Sequence, residues 1–162
     1  MNFEEIIAKK IMSLERLMRM VATWRLQEKK IVFTNGCFDL LHRGHLHLLH
    51  ASRSLGDVLI VGLNSDSSVS KIKPGRPVQN EESRAFVLAS LEVVDAVILF
   101  TEDTPLNLIN EILPDVLVKG GDYMPGEIVG SDAVTKYGGK VEIVPFLKGF
   151  STSEIISKIK SG

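Results

Sequence analysis

Apolar residues are spaced along this 162-residue chain in two alternating patterns, one typical of helices and the other of buried strands. Spacings of three and four residues indicate amphipathic helices; these occur over 4–28, 44–55, 81–94, 105–113 and the segment after Gly149, and 122–137 is expected to hold a loop followed by a helix. Short continuous apolar runs indicate strands that are covered on both faces; these occur over 31–34, 57–64, 95–100, 115–120 and 140–146. The segment 65–80 is polar and interrupted by Gly and Pro, which predicts a loop.

This alternation of strands and helices predicts the architecture. It implies right-handed βαβ crossovers and a Rossmann-like, doubly wound α/β fold with a mostly parallel, five-stranded sheet. We expect a single domain, with an N-terminal helical segment over 1–28 and the α/β unit over 29–162. Ligands of such sheets bind at the carboxyl ends of the strands. Polar residues that follow the predicted strands should therefore share one rim: 34–36, 64–66, 101–102, 119–122 and 146–151.

Composition and charge argue against several classes of function. The formal net charge is −1, so the chain has no overall basic field that would bind nucleic acid or an anionic membrane. Its apolar runs are too short to span a bilayer, and its acidic, amphipathic N-terminus does not resemble a secretory signal. Cys37 is the single cysteine, which rules out an internal disulfide. We expect a soluble, cytoplasmic protein that binds anions through local groups.

All four histidines fall within nine residues, at positions 42, 45, 47 and 50. A zinc site needs three or four ligands, and neither a second cysteine nor the glutamate of a helical HExxH motif is present, so a protein-bound metal is disfavoured. His42 and His45 lie where a helix follows the first strand. The free N–H groups there favour an anion, Gly44 allows close approach, and two imidazoles can donate hydrogen bonds to phosphate. His47 and His50 are interpreted as surface or packing residues.

The stretch TNGCFDLLHRGH, over 34–45, resembles the [T/G]-x-F-D-x-x-H-x-G-H signature of the cytidylyltransferase-like nucleotidyltransferases. A second stretch, STSEIISKI over 151–159, is similar to the Ser/Thr motif with which that family opens its final helix. The resemblance implies that the HxGH pair stabilises the nucleotide phosphates during attack on the α-phosphorus. It also implies that the Ser/Thr motif binds the triphosphate. The order and spacing of the two motifs along the predicted fold support the match.

Further stretches narrow the resemblance to one branch of the family. LNSD, RPV, VLVKGGDY and STSEII together resemble the adenylyltransferases that make ADP-heptose, a precursor for the lipopolysaccharide core, from heptose 1-phosphate. In bifunctional members of that branch a sugar kinase precedes this domain, so its absence here implies a stand-alone enzyme with a separate kinase. Glycerol-phosphate cytidylyltransferases carry an arginine shortly before the Ser/Thr motif, whereas PFLKGFSTS offers only Lys148. That departure favours ATP over CTP and leaves open which group neutralises the leaving pyrophosphate.

The resemblance implies that a sugar 1-phosphate oxygen attacks the α-phosphorus of ATP. Because this nucleophile is already anionic, it needs no general base, and catalysis rests on positioning and charge stabilisation. We expect the catalytic residues to be His42, His45 and Lys119. We expect the nucleotide to be bound by Thr34, Asn35, Gly36, Phe38, His42, Gly44, His45, Lys119, Gly120, Asp122, Ser151, Thr152 and Ser153. We expect the sugar phosphate to be bound by Asp39, Asn64, Asp66, Lys73, Arg76 and Arg84.

Several roles and partners stay open at this point. Asp39 and Asp66 either hydrogen-bond sugar hydroxyls or reinforce backbone turns, and Arg84 either binds the sugar phosphate or pairs with Glu81. Mg²⁺ is expected to arrive with ATP, held mainly by phosphates and water, and a homodimer is expected. One alternative is a nucleotidyltransferase of the same fold with another acceptor, such as a CTP-dependent enzyme acting on glycerol 3-phosphate. Another is a nucleotide-binding protein without turnover.

Overall fold

Five parallel strands form one sheet in the order β3-β2-β1-β4-β5 in the computed structural model, which describes residues 2–162. Met1, the first residue of the predicted N-terminal segment, lies outside the described residues. The strands are β1 (Ile31–Gly36), β2 (Val58–Asn64), β3 (Ala96–Phe100), β4 (Val116–Gly120) and β5 (Lys140–Val144). The helices are α1 (Phe3–Ala8), α2 (Leu14–Leu26), α3 (Arg43–Arg53), α4 (Asp66–Ile72), α5 (Glu81–Ala89), α6 (Leu106–Ile112), α7 (Ser131–Lys136) and α8 (Thr152–Ser161), with a short 3₁₀ helix over Pro125–Glu127. The predicted five-stranded, doubly wound fold is confirmed.

The two faces of the sheet bury separate apolar cores. Alternate residues of β1 point to opposite faces, so Ile31 and Phe33 belong to one core and Val32 belongs to the other. Helices α2, α6 and α7 cover the first face, and α3 and α5 cover the second. Strand β2 is buried over its whole length, which explains why its sequence is a continuous apolar run rather than an alternating one.

A reversal in strand order between β1 and β4 positions the site. The chain runs outward from β1 through β2 to β3, and then crosses to β4 on the other side of β1. Loops that leave β1 and β4 therefore diverge, and a crevice opens at the carboxyl ends of these two strands.

The N-terminal segment departs from the single helix that periodicity predicts. It forms α1 and α2, separated by an extended stretch that pairs with the edge of β3. The Val97 N–H donates to the Lys10 carbonyl at 2.8 Å, and the Met12 N–H donates to the Val97 carbonyl at 2.9 Å. Ser13 then caps α2. An exposed strand edge needs partners for its N–H and C=O groups, and helical periodicity carries no information about such tertiary pairing.

The polar segment predicted as a loop over 65–80 contains a helix, α4, and the prediction is wrong there. Ser65 caps this helix with its side chain, and the Glu81 carboxylate accepts a hydrogen bond from the Asp66 N–H at 2.7 Å. Val69 is its one buried apolar side chain. A single buried apolar residue in seven gives no detectable period, so capping and tertiary contact establish this helix.

Gly56 lies just after α3 and allows two segments of backbone to approach closely. Helix α3 ends at Arg53, and Ser54 is its C-terminal cap. A Cβ at Gly56 would lie 2.7 Å from the Lys30 carbonyl oxygen. Glycine is therefore required where the turn into β2 passes close to the start of β1.

The other predicted elements occur with shifted ends. Helix α5 stops at Ala89 rather than continuing to 94, because the chain turns there through hydrogen bonds from Leu91 N–H to the Leu88 carbonyl and from Val94 N–H to the Leu91 carbonyl. Across residues 2–162, no helix is both long enough and apolar enough to cross a membrane.

Candidate active site

Three adjoining cavities lie at the carboxyl ends of the central strands. The largest, about 490 Å³, is lined by Lys119 and is called here the Lys119 cavity. The second, about 420 Å³, is lined by 151–153 and is called the Ser/Thr cavity. The third, about 70 Å³, is lined by Asp39 and is called the Asp39 cavity. His45 and Lys73 line all three, so they mark the point where the cavities meet.

His42 begins α3 and caps it with its own ring. Its Nδ1 accepts a hydrogen bond from the Gly44 N–H at 3.1 Å, which leaves Nε2 to carry the ring hydrogen and to donate. A Cβ at Gly44 would lie 2.9 Å from this Nδ1, so glycine is needed for the ring to reach the helix end. The spacing of the HxGH motif thus fixes the tautomer of its first histidine.

His45 lies one turn further along α3, and its ring stacks on that of His42 with a centroid distance of 3.9 Å. Burial, reinforced by the charges of His42 and Lys73, lowers the pKa of His45 to about 4. Burial also lowers the pKa of His42, against a smaller opposing effect of Glu154. Both imidazoles are therefore neutral near pH 7 and serve as N–H donors. The Nδ1 of His45 is buried without a well-formed hydrogen bond among the described residues, although the backbone of Leu40 interacts with this ring and partly offsets the fall in its pKa.

The other two histidines face away from the cavities. His47 and His50 are exposed on α3, as their interpretation as surface residues predicts. In the part of the chain that the structure describes, no group of three or more His, Cys, Asp or Glu side chains is arranged to hold a metal ion. The four histidines therefore divide into a pair that lines the cavities, His42 and His45, and an exposed pair, His47 and His50.

The Ser/Thr motif forms the N-terminus of α8. Ser151 caps this helix by accepting a hydrogen bond from the Glu154 N–H at 3.5 Å. Thr152 Oγ1 donates to the Leu40 carbonyl at 3.4 Å, and this bond ties α8 to the loop that leads into HRGH. The N-termini of α3 and α8 both open on the Ser/Thr cavity. Their free N–H groups favour an anion between them.

Lys119 and Asn35 meet across the reversal in strand order. The Lys119 Nζ donates to Asn35 Oδ1 at 3.1 Å, since the pairing of β1 with β4 brings their carboxyl ends side by side. Burial lowers the pKa of Lys119 below its ordinary value. Gly36 and Gly120 line the same cavity, so backbone groups face it as well as side chains.

Asp39 binds backbone groups of the loop that follows α4. The side chain is almost completely buried, and its carboxylate accepts hydrogen bonds from the N–H groups of Val78 at 2.8 Å and Gln79 at 3.0 Å. It also pairs with Arg76 at 3.3 Å. Burial alone would raise the pKa of Asp39, but these hydrogen bonds hold it below its ordinary value. Of the two roles left open by the sequence, backbone reinforcement is the one that the structure shows.

Arg84 is 1% exposed and donates to protein groups on several sides. Its guanidinium donates to the carbonyls of Cys37, Asn64 and Gln79. It pairs with Asp66 at 2.7 Å, so the alternative pairing with Glu81 is wrong, because Glu81 accepts from the Asp66 N–H instead. Arg84 thus joins the ends of β1 and β2 to the neighbouring loop. It presents almost no exposed surface to a sugar phosphate, and sugar-phosphate binding by Arg84 and Asp66 stays a prediction.

The remaining predicted residues divide between the cavity walls and the core. Asn64 lines the Lys119 cavity, and its Nδ2 donates to Ser68 Oγ at 2.9 Å. Phe38 is buried and also lines this cavity, whereas Thr34 is fully buried within β1. Asp122 is exposed and lies outside the linings of the three cavities. Direct ligand contact by these residues stays a prediction.

Sequence reasoning missed several residues of the Lys119 cavity. Thr104 follows β3, and Tyr123 and Glu127 follow β4; all three line this cavity. Their position after strand ends is the signal that could have found them, because the same rule selected the other rim residues. Leu48 contributes an apolar wall from α3 and gives no chemical signal in the sequence.

A family model described as cytidylyltransferase-like matches residues 33–158 of this chain. Curated relatives named bifunctional protein HldE are also similar. The HldE of Methylobacillus flagellatus is 55% identical over 155 residues, which cover 95% of this chain and 32% of the relative. The HldE of Caulobacter vibrioides is 55% identical over 153 residues, with coverage of 94% and 32%. The chain therefore spans about a third of the length of the curated relatives it matches.

Solved structures also resemble this one. The lipopolysaccharide core biosynthesis protein from Thermoplasma volcanium GSS1 has a TM-score of 0.60 and 32% sequence identity, and the match covers 75% of this chain and 99% of that one. Pantoate-beta-alanine ligase from Francisella tularensis, complexed with beta-gamma ATP and beta-alanine, has a TM-score of 0.57, 16% identity and coverage of 94% and 78%. At that identity the second likeness shows the fold alone.

Proposed function

The chain belongs to the cytidylyltransferase-like family of nucleotidyltransferases, and from that premise we propose that it transfers AMP from ATP to heptose 1-phosphate. The products are ADP-heptose, a precursor for lipopolysaccharide core synthesis, and pyrophosphate. The acceptor is supported by the identity to HldE proteins and by the likeness to a lipopolysaccharide core biosynthesis protein. The stretches LNSD, RPV and VLVKGGDY, which resemble the ADP-heptose branch, point the same way.

The meeting of the cavities at His45 and Lys73 is the observation that carries this proposal. These two residues line both large cavities. A nucleotide in the Ser/Thr cavity and an acceptor in the Lys119 cavity would therefore bring their phosphates together beside them. The surrounding groups are neutral N–H donors, cations and helix N-termini, which is the chemistry that stabilises a transferring phosphate.

In the proposed reaction the triphosphate lies against the N-termini of α3 and α8. An oxygen of the acceptor phosphate attacks the α-phosphorus, and a new P–O bond forms as the bond to the bridging oxygen of the β-phosphate breaks. The electron pair leaves with pyrophosphate, and no proton has to move because the acceptor phosphate is already anionic. His42 and His45 donate to the α-phosphate oxygens, while Lys119 and Lys73 offset the charge of the acceptor phosphate.

ATP is the proposed nucleotide. Residues 145–150 line the Ser/Thr cavity, and backbone N–H and C=O groups along such a stretch can read the edge of a base. Phe146 and Phe150 are exposed in this stretch and can contact an adenine ring. A base edge that is hydrogen-bonded discriminates strongly, because the wrong base leaves polar groups unpaired.

Mg²⁺ is proposed to accompany ATP. This ion keeps several waters and usually takes one or two carboxylates together with substrate phosphates. The carboxylate that lines the Ser/Thr cavity is Glu154, so the donor set fits an ion held mainly by the nucleotide. When bound, Mg²⁺ neutralises charge on the phosphates. The protein groups then position the nucleotide and the acceptor.

Three further features rest on the sequence resemblance. We propose that the enzyme works in the cytoplasm, that it forms a homodimer, and that a sugar kinase activity supplies its heptose 1-phosphate. A light-scattering measurement of mass in solution tests the dimer directly. The mass of a monomer at the concentrations used for the activity assay would contradict the proposed dimer.

A panel of donors and acceptors tests the assignment. Heptose 1-phosphate is assayed with each of the four nucleoside triphosphates, and glycerol 3-phosphate with ATP and CTP, by pyrophosphate release. We expect kcat/KM for ATP with heptose 1-phosphate to exceed that for CTP at least tenfold. A higher kcat/KM for CTP with glycerol 3-phosphate than for ATP with heptose 1-phosphate would identify the protein as a glycerol-phosphate cytidylyltransferase instead. Nucleotide binding without turnover on any pair would replace it with a non-catalytic protein.

A further inference from the structure

A cation from a distant part of the chain contacts the Ser/Thr motif. Arg76, in the loop between α4 and α5, donates from Nη2 to Ser153 Oγ at 3.3 Å. Lys148, the cation that precedes the motif in sequence, is exposed. We infer that Arg76 is a catalytic residue that neutralises the leaving pyrophosphate, in place of the arginine missing before the Ser/Thr motif. This inference rests on the proposed nucleotidyl transfer but not on the identity of the acceptor.

Asp39 holds Arg76 in position. Arg76 Nη1 donates to Asp39 Oδ2 at 3.3 Å, and the two side chains are 14% and 4% exposed. The same carboxylate binds the N–H groups of Val78 and Gln79, so it fixes the loop on both sides of Pro77. Asp39 lies three residues before His42, and it therefore ties the loop to the segment that carries the HxGH pair.

The position of Arg76 separates its role from that of an acceptor ligand. It lines the Ser/Thr cavity and the Asp39 cavity and lies outside the lining of the Lys119 cavity. Lys119, by contrast, lines only the Lys119 cavity, and Lys73 lines all three cavities. Of the cations predicted to bind the sugar phosphate, Arg76 is thus placed on the side of the triphosphate. Its prediction as a sugar-phosphate ligand is replaced here by a contact with the β- and γ-phosphates.

The guanidinium retains donors for this contact. It has five N–H donors, and the two side-chain bonds to Asp39 and Ser153 use one each from Nη1 and Nη2. Both bonds are 3.3 Å long, whereas strong charge-assisted bonds measure about 2.7–2.9 Å. The group is therefore oriented without being saturated. A planar fork with free N–H groups matches a phosphate in the bidentate geometry that a lysine ammonium cannot make.

Charge on the leaving group grows as the bond to the β-phosphate breaks. An arginine supplied to a phosphoryl-transfer site is worth about 10³–10⁵ in kcat in GTPases. Because two helix N-termini also face this cavity, we expect a smaller effect here, about a hundredfold in kcat.

The test compares Arg76→Ala and Arg76→Lys with Lys71→Ala. Lys71 is the matched control, since its exposed side chain lies in the same region and outside the three cavities. Binding of magnesium pyrophosphate is measured by calorimetry, and kcat and KM are measured for each substrate. We expect Arg76→Ala to weaken pyrophosphate binding at least tenfold and to lower kcat about a hundredfold, with the KM for sugar phosphate changed less than threefold. Arg76→Lys should recover part of both losses, and Lys71→Ala should stay within twofold of the wild type.

Two results would overturn the inference. One is wild-type pyrophosphate affinity in a folded Arg76→Ala protein, or in Arg76→Lys if the alanine variant does not fold. The other is a rise in the KM for sugar phosphate without a change in pyrophosphate binding. That result would show that Arg76 binds the sugar phosphate and not the leaving group. The pyrophosphate titration needs no sugar substrate. Absence of turnover with heptose 1-phosphate would therefore refute the acceptor assignment and leave this test standing.

Discussion

His42 and His45 stack at the start of α3 with a centroid distance of 3.9 Å and an interplanar angle of 24°. Two imidazolium ions at this separation would repel each other, and burial disfavours either charge. The Nδ1 of His42 also accepts a hydrogen bond from the Gly44 N–H. We therefore propose that the pair donates N–H groups to phosphate oxygens and does not transfer protons.

We predict that His45→Ala lowers kcat by about a hundredfold, because it removes a donor that is preorganised for the transition state. His50→Ala is the matched control, since His50 lies on the same helix but is exposed, and it should change kcat less than twofold. Steady-state kinetics of the two variants, with thermal unfolding to confirm the fold, measure this. A folded His45→Ala enzyme with near-normal kcat would remove the catalytic role of the HRGH motif.

Stability should fall between pH 7 and pH 5. The pKa of His45 is about 4 in the folded state and about 6.5 in an unfolded chain. Over that interval the unfolded chain binds a proton that the folded protein does not, so the free energy of unfolding decreases, by about 1–2 kcal/mol for this group. Above pH 6.5 both states are neutral and the effect disappears.

Urea unfolding at pH 7 and pH 5 measures this loss, with His45→Asn and His50→Asn as a pair. Asp39 also contributes to stability, because its folded pKa is held below its ordinary value. That contribution is lost only at lower pH, so the change between pH 7 and pH 5 reports on the histidines. We expect His45→Asn to show a smaller loss than the wild type and His50→Asn to behave like the wild type. Identical losses in all three proteins would show that His45 is not held neutral by burial.

Arg84→Met should cost roughly 3–5 kcal/mol in the free energy of unfolding, since it leaves Asp66 without its cation and several carbonyls without donors. Arg19→Met is the control. Arg19 pairs with Glu15 on an exposed helix face, with side chains 69% and 80% exposed, so its loss should cost less than about 1 kcal/mol. Denaturant unfolding of both variants gives the two values. Equal costs would mean that the Arg84 network does not hold the strand ends together.

Activity should require added Mg²⁺ and no tightly bound transition metal, because the cavity offers few carboxylates and the nucleotide phosphates supply the ligands. Treatment with EDTA should abolish turnover, and Mg²⁺ should restore it. Elemental analysis of the treated protein should show no stoichiometric zinc. Zinc that survives EDTA, with activity that depends on it, would restore the interpretation of the histidine cluster as a metal site.

Much of the fold follows from the sequence because the strands are buried on both faces. The run 58–64 is fully buried, and such a run has few alternatives to a central strand. The rim rule then placed Lys119 and Ser151 on adjoining cavities, both of which His45 also lines, because the carboxyl ends of parallel strands meet at one edge. Local pattern and topology were sufficient for these features.

Features that depend on distant contacts could not be predicted from local patterns. The break between α1 and α2 exists because Val97 on the edge of β3 pairs with the chain near Lys10. The bond between Arg76 and Ser153 joins residues that are 77 positions apart. Neither contact leaves a periodic signal, so each appears only when the sheet and its loops are assembled.

The fate of the phosphates of ATP tests the central claim most directly. The protein is incubated with heptose 1-phosphate and Mg²⁺, and with ATP labelled either at the α- or at the γ-phosphate. Attack on the α-phosphorus places the α-label in the sugar nucleotide and the γ-label in pyrophosphate, and this is the result we predict. A γ-label recovered on the sugar, with ADP as the other product, would show phosphoryl transfer and contradict the account.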